Sequence, residues 1–187
     1  SIYDVAGNVA STSQSNNTLS FNLNLDWNQI GQDIDGGVGD LSGWPVCLSG
    51  DGSMIAIGSP LPGAYVRVYQ NNNGTWTQVG EDVEFIVQID DLMENKCISL
   101  SYNGDVMAIG SFYDSDENGR VKVYQYVGSS WTQIGEDIEG VEEALTGFSV
   151  SLSSDGNVVA ISTSKYYADG DDKDDDDALQ ASAVFAS

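Results

Sequence analysis

Apolar and small polar residues alternate over short stretches in this chain, and the same alternation returns three times. Phe148-Ser149-Val150-Ser151-Leu152-Ser153 repeats the layout of Trp44-Pro45-Val46-Cys47-Leu48-Ser49 and of Lys96-Cys97-Ile98-Ser99-Leu100-Ser101. A period of two puts the apolar set on one face of a strand and the small polar set on the other. Asp51-Gly52, Asn103-Gly104 and Asp155-Gly156 follow. Such dipeptides predict tight type I′ hairpins, whose central residues need positive φ. Second strands come next, Met54–Gly58, Val106–Gly110 and Val158–Ile161. Third strands lie at Val66–Gln70 and Val121–Gln125, with Ser182–Ala186 in the corresponding place. Asn71-Asn72-Asn73-Gly74 and Gly128-Ser129-Ser130 suit tight reversals into a fourth strand. No segment shows helical periodicity, so the expectation is an all-β chain.

The fourth-strand phrase is the clearest repeat. Trp131-Thr132-Gln133-Ile134-Gly135-Glu136-Asp137-Ile138-Glu139 restates Trp76-Thr77-Gln78-Val79-Gly80-Glu81-Asp82-Val83-Glu84 and, earlier, Trp27-Asn28-Gln29-Ile30-Gly31-Gln32-Asp33-Ile34-Asp35. Repeats of this length mark units that bury their apolar faces by stacking on neighbours. Leu-Ser-x-Asp-Gly followed by Ala-Ile-Gly, then Val-Arg-Val-Tyr-Gln, then Trp-Thr-Gln-Ile-Gly resembles the β-propeller repeats of the FG-GAP and integrin-α type. It looks most like the long, acidic versions in surface proteins of algae and other aquatic microbes. The resemblance covers roughly residues 27–187. It implies about three tandem four-stranded antiparallel blades, extracellular placement, calcium in acidic loops and no catalysis.

Propellers ordinarily close with four to eight blades. Here a fourth-strand phrase comes first and a third strand last, which leaves one spare strand and one incomplete blade. Three outcomes are open: a piece of a larger propeller, a closed three-fold structure of trefoil type, or a fibre in which the spare strand completes the next molecule. Residues 1–26 form an N-terminal extension outside the 27–187 repeat domain. It holds a polar stretch and one alternating strand, Leu19-Ser20-Phe21-Asn22-Leu23-Asn24-Leu25.

Charge narrows the function. Among 187 residues, 29 are acidic and 6 basic, for a net charge of −23. That surface repels phosphate backbones, so no nucleic-acid partner is expected. No apolar run reaches the length of a membrane helix, and membrane insertion is not expected. Cations are the natural counterpart of such a surface. Histidine is absent, which removes Ser-His-Asp and Cys-His catalysis and imidazole switching. Carboxylates abound, but no pair stands out as a glycosidase acid and nucleophile. The chain is expected not to be an enzyme.

Candidate chemistry is therefore confined to loops and cysteines. Asp114, Asp116 and Asn118, ahead of Gly119, offer oxygens at alternate positions, the spacing calcium loops use. A solvated acidic turn accounts for them equally. Asp169 and Asp171 open a long acidic run that reads as a solvated loop or a weaker Ca2+ site. Cys47 and Cys97 sit on the same strand of successive units, two residues out of register. They are either a disulfide between repeats or two small core thiols. Asn16 and Asn73 begin Asn-x-Thr triplets, the acceptor pattern for N-glycosylation. The once-per-repeat tryptophans are expected to pack between units. The expected function is a non-enzymatic extracellular structural or adhesive protein, cation-stabilised and self-associating head to tail. The alternative is a glycan- or protein-binding segment of a larger propeller.

Overall fold

A computed structural model of the chain describes residues 27–60, 63–84, 97–111, 118–140, 146–163 and 182–186. Thirteen strands form three antiparallel sheets, and no helix occurs among the described residues. The first sheet holds β1 (Val46–Leu48), β2 (Met54–Ser59), β3 (Tyr65–Asn71), β4 (Trp76–Gln78) and β5 (Val83–Glu84). The second holds β6 (Cys97–Leu100), β7 (Val106–Ser111), β8 (Arg120–Val127), β9 (Ser130–Gln133) and β10 (Ile138–Glu139). The third runs β11 (Val150–Leu152), β12 (Val158–Ser162), β13 (Ser182–Ala186). The all-β expectation holds, and the strands predicted between residues 44 and 162 and at Ser182–Ala186 are in place to within about two residues at their ends. The first copy of the fourth-strand phrase, from Trp27, forms no strand, because no neighbouring strand lies beside it to pair with among the described residues. The strand expected at Leu19–Leu25 lies outside the described residues.

The Asp-Gly loops differ from expectation. Ser49 N–H donates to Met54 O at 2.8 Å and Gly52 N–H to Ser49 O at 3.0 Å, which encloses four residues rather than two. Only Gly52 takes positive φ (73°); Asp51 does not. Its carboxylate instead accepts from the Ser49 hydroxyl, the Ser53 N–H and the Ser53 hydroxyl at 2.7–2.9 Å. The side chain closes the loop that a two-residue turn would have closed with backbone alone. The expected tight turn appears at the next hairpin. Asn73 (φ 53°) and Gly74 (φ 88°) sit between Asn72 and Thr75, which exchange both backbone hydrogen bonds.

The fourth strand is also not continuous. β4 pairs with the far end of β3 and β5 with its near end, and Gly80 (φ 76°) bends the chain between them. β9 and β10 flank Gly135 (φ 73°) on β8 in the same way. A bulge lets one strand follow its partner's twist while leaving a few residues out of the ladder.

The sheets pack in chain order, each presenting a forward face to the next. Met54, Ala56, Val66 and Val68 of the first sheet meet Ile98, Leu100, Met107, Ile109 and Tyr124 of the second. Ala108, Val121 and Val123 of the second meet Val150, Leu152, Val159 and Ile161 of the third. Turn glycines register the stack. A Cβ on Gly104 would come within 2.6 Å of Met54, and one on Gly156 within 2.7 Å of Val106.

Both cysteines are free thiols, so the disulfide is not formed. The reason lies in the stacking. Cys47 lies on the forward face of the first sheet, packed at its junction with the second. Cys97 belongs to the next junction, where its Sγ accepts from Val150 N–H at 3.3 Å. The thiols point the same way along the stack and are separated by the second sheet. Burial raises the Cys47 thiol above its usual range, further from a reactive thiolate.

Candidate functional site

The repeated phrase folds into a repeated clamp. Gln29 Nε2 donates to Gly31 O (3.2 Å) and Asp33 Oδ1 (2.7 Å). Gln78 does the same to Gly80 O (3.4 Å) and Asp82 Oδ1 (2.8 Å), and Gln133 to Gly135 O (3.4 Å) and Asp137 Oδ1 (2.7 Å). Each glutamine thereby ties together the two sides of its glycine bend, which in the second and third copies is the bulge of a strand. In the two later copies a cation from the neighbouring strand completes the clamp. Arg67 of β3 grips Asp82 with two forked hydrogen bonds of 2.9 Å. It also lies 4.3 Å from the Tyr65 ring centre. Arg120 and Lys122 of β8 reach Asp137 at 3.3 and 3.5 Å.

These contacts shift the acids. The hydrogen bonds from Arg67 hold Asp82 below the usual carboxylate range. Burial pushes Asp137 up, but the Gln133 hydrogen bond, Lys122 and Arg120 outweigh it and the net shift is downward. Asp51 and Asp155 are lowered by their own loops, through Ser53 and Ser153 respectively. Asp40 is buried and lowered by the Ser42 N–H and the Tyr65 hydroxyl. Asp40, Asp51 and Asp155 accept from backbone N–H groups of their own loops, while Asp82 and Asp137 accept from the side chains of the clamp.

The tryptophans join each clamp to the one before it. Trp76 Nε1 donates to Ile30 O at 2.8 Å, and Trp131 Nε1 to Val79 O at 3.1 Å. In each case the indole lies over the bulge glycine. A Cβ at Gly31 would stand 3.0 Å from Trp76 Cδ1, and one at Gly80 2.7 Å from Trp131 Cδ1. The third bulge glycine, Gly135, has no heavy atom of the described residues within 4 Å of that point. An apolar groove of about 290 Å³ opens there between the second and third sheets. Ile134, Gly135, Ile138, Leu152, Val159 and Phe185 are among the residues that line it. Trp27, the first tryptophan of the series, is 97% exposed.

The predicted site residues divide as follows. Asp114, Asp116, Asp169, Asp171 and Asn16 lie outside the described residues. Asn118 is described, and its carbonyl accepts from Thr146 N–H at 3.2 Å. No three Asp, Glu or Cys side chains converge as a metal-ligand set among the described residues. Asn73 stands exposed at a hairpin tip, the geometry an acceptor for glycosylation needs. The clamp residues were absent from the sequence-based expectation. Their signal was present in the threefold recurrence of Gln, Gly and Asp at fixed offsets in the phrase. No helix among the described residues is long and apolar enough to cross a membrane. Compared with known proteins, the chain matches no protein-family model and no curated protein sequence.

Proposed function

We propose that the protein is a non-enzymatic, extracellular structural or adhesive repeat protein of the FG-GAP propeller type, whose sheets continue their stacking from one molecule to the next. One observation carries this reading. Positions that are buried inside the stack are exposed at its two ends. Ile98 and Leu100 are buried against the first sheet, and Val150 against the second. Their counterparts on the first sheet, Val46 and Leu48, are 58% and 57% exposed. At the other end, Ala160 is exposed where Ala56 and Ala108 are fully buried. The backward face of the first sheet thus has the chemistry that the forward face of the third would meet in a further repeat. Exposed apolar surface of this kind marks an interaction surface.

The outer edge of β13 has no partner strand among the described residues, and such an edge is a template for strand addition. A net charge of −23 opposes association of like chains, so cations and salt should favour it. Calcium held by Asp114, Asp116 and Asn118 belongs to the same reading, with only Asn118 among the described residues. Sedimentation over a range of concentrations tests the proposal. Growth of the sedimenting species with concentration and salt supports it. A monomer throughout would overturn it and favour the alternative, a glycan- or protein-binding segment of one larger propeller in which neighbouring repeats of the same chain cover both faces.

A further inference from the structure

We infer that the groove beside Gly135 receives Trp27 from a second copy of this chain. The inference rests on the head-to-tail reading above and specifies the contact that locks it. Among the described residues three glycine bends of one design occur, at Gly31, Gly80 and Gly135, with φ of 73–81°; the last two are bulges in a strand ladder. At the first two, the tryptophan of the following repeat lies on the glycine and donates its N–H to the carbonyl of the residue before it. A Cβ at Gly80 would collide with the indole at 2.7 Å, and one at Gly31 would press on it at 3.0 Å and collide with Gly74 O at 2.6 Å.

At Gly135 the same wall is built, with Ile134 in the place of Ile30 and Val79, yet the groove remains open. The chain also carries three tryptophans of this design. Trp76 and Trp131 are seated, and Trp27 projects into solvent at the opposite end of the stack. The clamp behind Trp27 is already closed by Gln29 on Asp33, so the incoming segment is ordered before it binds, which lowers the entropic cost of docking.

Register supports the same pairing. Gln78 stands opposite Tyr69 and Gln133 opposite Tyr124. Through their pairing with β2, β7 and β12, Tyr69 and Tyr124 correspond to Phe185 of β13. Gln29 of the incoming copy therefore falls opposite Phe185, a groove-lining residue. From there its tryptophan reaches the Gly135 bulge, as Trp131 reaches Gly80. The incoming first sheet, which already holds its own 27–35 segment through Gln32 and Trp76, is carried onto the forward face of the third sheet. The chemistry is an indole N–H to a backbone carbonyl plus apolar burial, with no charge pair. Ala183 occupies the place of Arg67 and Lys122 on β13, so Asp33 gains no cation in the docked state.

Complementation between two variants tests this. Trp27→Ala removes the plug and keeps the groove; Ile134→Glu obstructs the groove and keeps the plug. In sedimentation at about 0.15 M salt, where charges are screened beyond about 8 Å, each variant alone should associate about 30-fold or more weakly than the parent chain, as expected on losing a buried aromatic anchor. An equimolar mixture should give dimers and no longer species, since one plug and one groove remain. The dimer also excludes misfolding as the cause of either loss. Parent assemblies should show a blue shift of tryptophan emission that Trp27→Ala lacks. Assembly that survives both substitutions would overturn the indole contact while leaving head-to-tail stacking standing. A parent chain that never associates would overturn both. A folded mixture that stays monomeric while the parent polymerises would overturn the indole contact alone.

Discussion

The junction between the first and second sheets and the junction between the second and third are built from the same parts and finished differently. The first joins Met54, Val66 and Val68 to Ile98, Leu100 and Met107, and Val79 and Trp131 pack against its edge. The second has smaller side chains, Ala108 and Val121 against Val150, Val159 and Ile161, and its edge is the open groove at Gly135. What distinguishes them is the tryptophan of the fourth strand. That residue reaches back over a bulge glycine and seals the seam between its own sheet and the preceding one. A sheet with its fourth strand closes the seam behind it, and the third sheet, which has no fourth strand among the described residues, leaves that seam open. Trp76 and Trp131 are thus partly buried links between units, whereas Trp27, expected to pack in the same way, is exposed.

Four measurements would break or sharpen this contrast. The largest effect is expected from Met107→Ala, because Met107 is fully buried at the sealed junction. Removing it should cost about 2–5 kcal/mol by urea denaturation. A loss below about 1 kcal/mol would mean that the first junction is no better packed than the second. Trp131→Ala should follow, at roughly 2 kcal/mol for a partly buried aromatic, whereas Trp27→Ala should change the stability of the monomer by no more than about 0.5 kcal/mol. Equal losses would erase the distinction between a seated and a free tryptophan.

Alanine at the turn glycines probes the stacking at smaller amplitude. Gly52, Gly104 and Gly156 share φ of 73–77°, so each substitution carries a similar strain of about 1–2 kcal/mol. Gly104→Ala should exceed Gly52→Ala by about 1 kcal/mol, since it must also displace buried Met54 while nothing lies within 4 Å of a Cβ at Gly52. Identical melting shifts would show that the glycines serve the turns alone.

The smallest effect is electrostatic. Asp82 and Asp137 titrate below the ordinary range in the folded chain, the first through Arg67 and the second through Gln133, Lys122 and Arg120 against the effect of burial. In the window between their unfolded value of about 3.9 and those lower folded values, the unfolded chain binds more protons. Their stabilisation is therefore complete above about pH 4 and lost as pH falls through the folded values. Asp82→Asn or Asp137→Asn should lower stability at neutral pH by about 0.2–1 kcal/mol each, the range for part-exposed ion pairs. The substitutions should also flatten the acid limb of a plot of melting temperature against pH. An acid limb of unchanged slope in both variants would remove the clamps from the acid response.

Much of the fold was legible because it rests on local chemistry. Alternation in Phe148–Ser153 and its counterparts fixes strands with one apolar face, and Asn73-Gly74 has the two residues that accept positive φ in a tight turn. The same reading failed at Asp51-Gly52. The dipeptide is identical in kind, but a carboxylate flanked by Ser49 and Ser53 closes a wider loop, and that choice depends on where three side chains meet. The clamp was half legible. Gln78, Gly80 and Asp82 recur visibly, while the arrival of Arg67 beside Asp82 depends on strand register.

Sequence by itself determined most of the strands and their hairpin order, the acidic surface and the absence of imidazole chemistry, because periodicity, turn residues and composition act within a few residues of the chain. Tertiary structure decided what the repeats do to one another. It turned Cys47 and Cys97 to the same side, so that a sheet separates the two thiols. It seated Trp76 and Trp131 over glycines some fifty residues away, and it left Trp27 and the Gly135 groove at opposite ends of the stack. Those outcomes depend on which face of each sheet meets the next, and local alternation defines two faces without saying which neighbour either will meet.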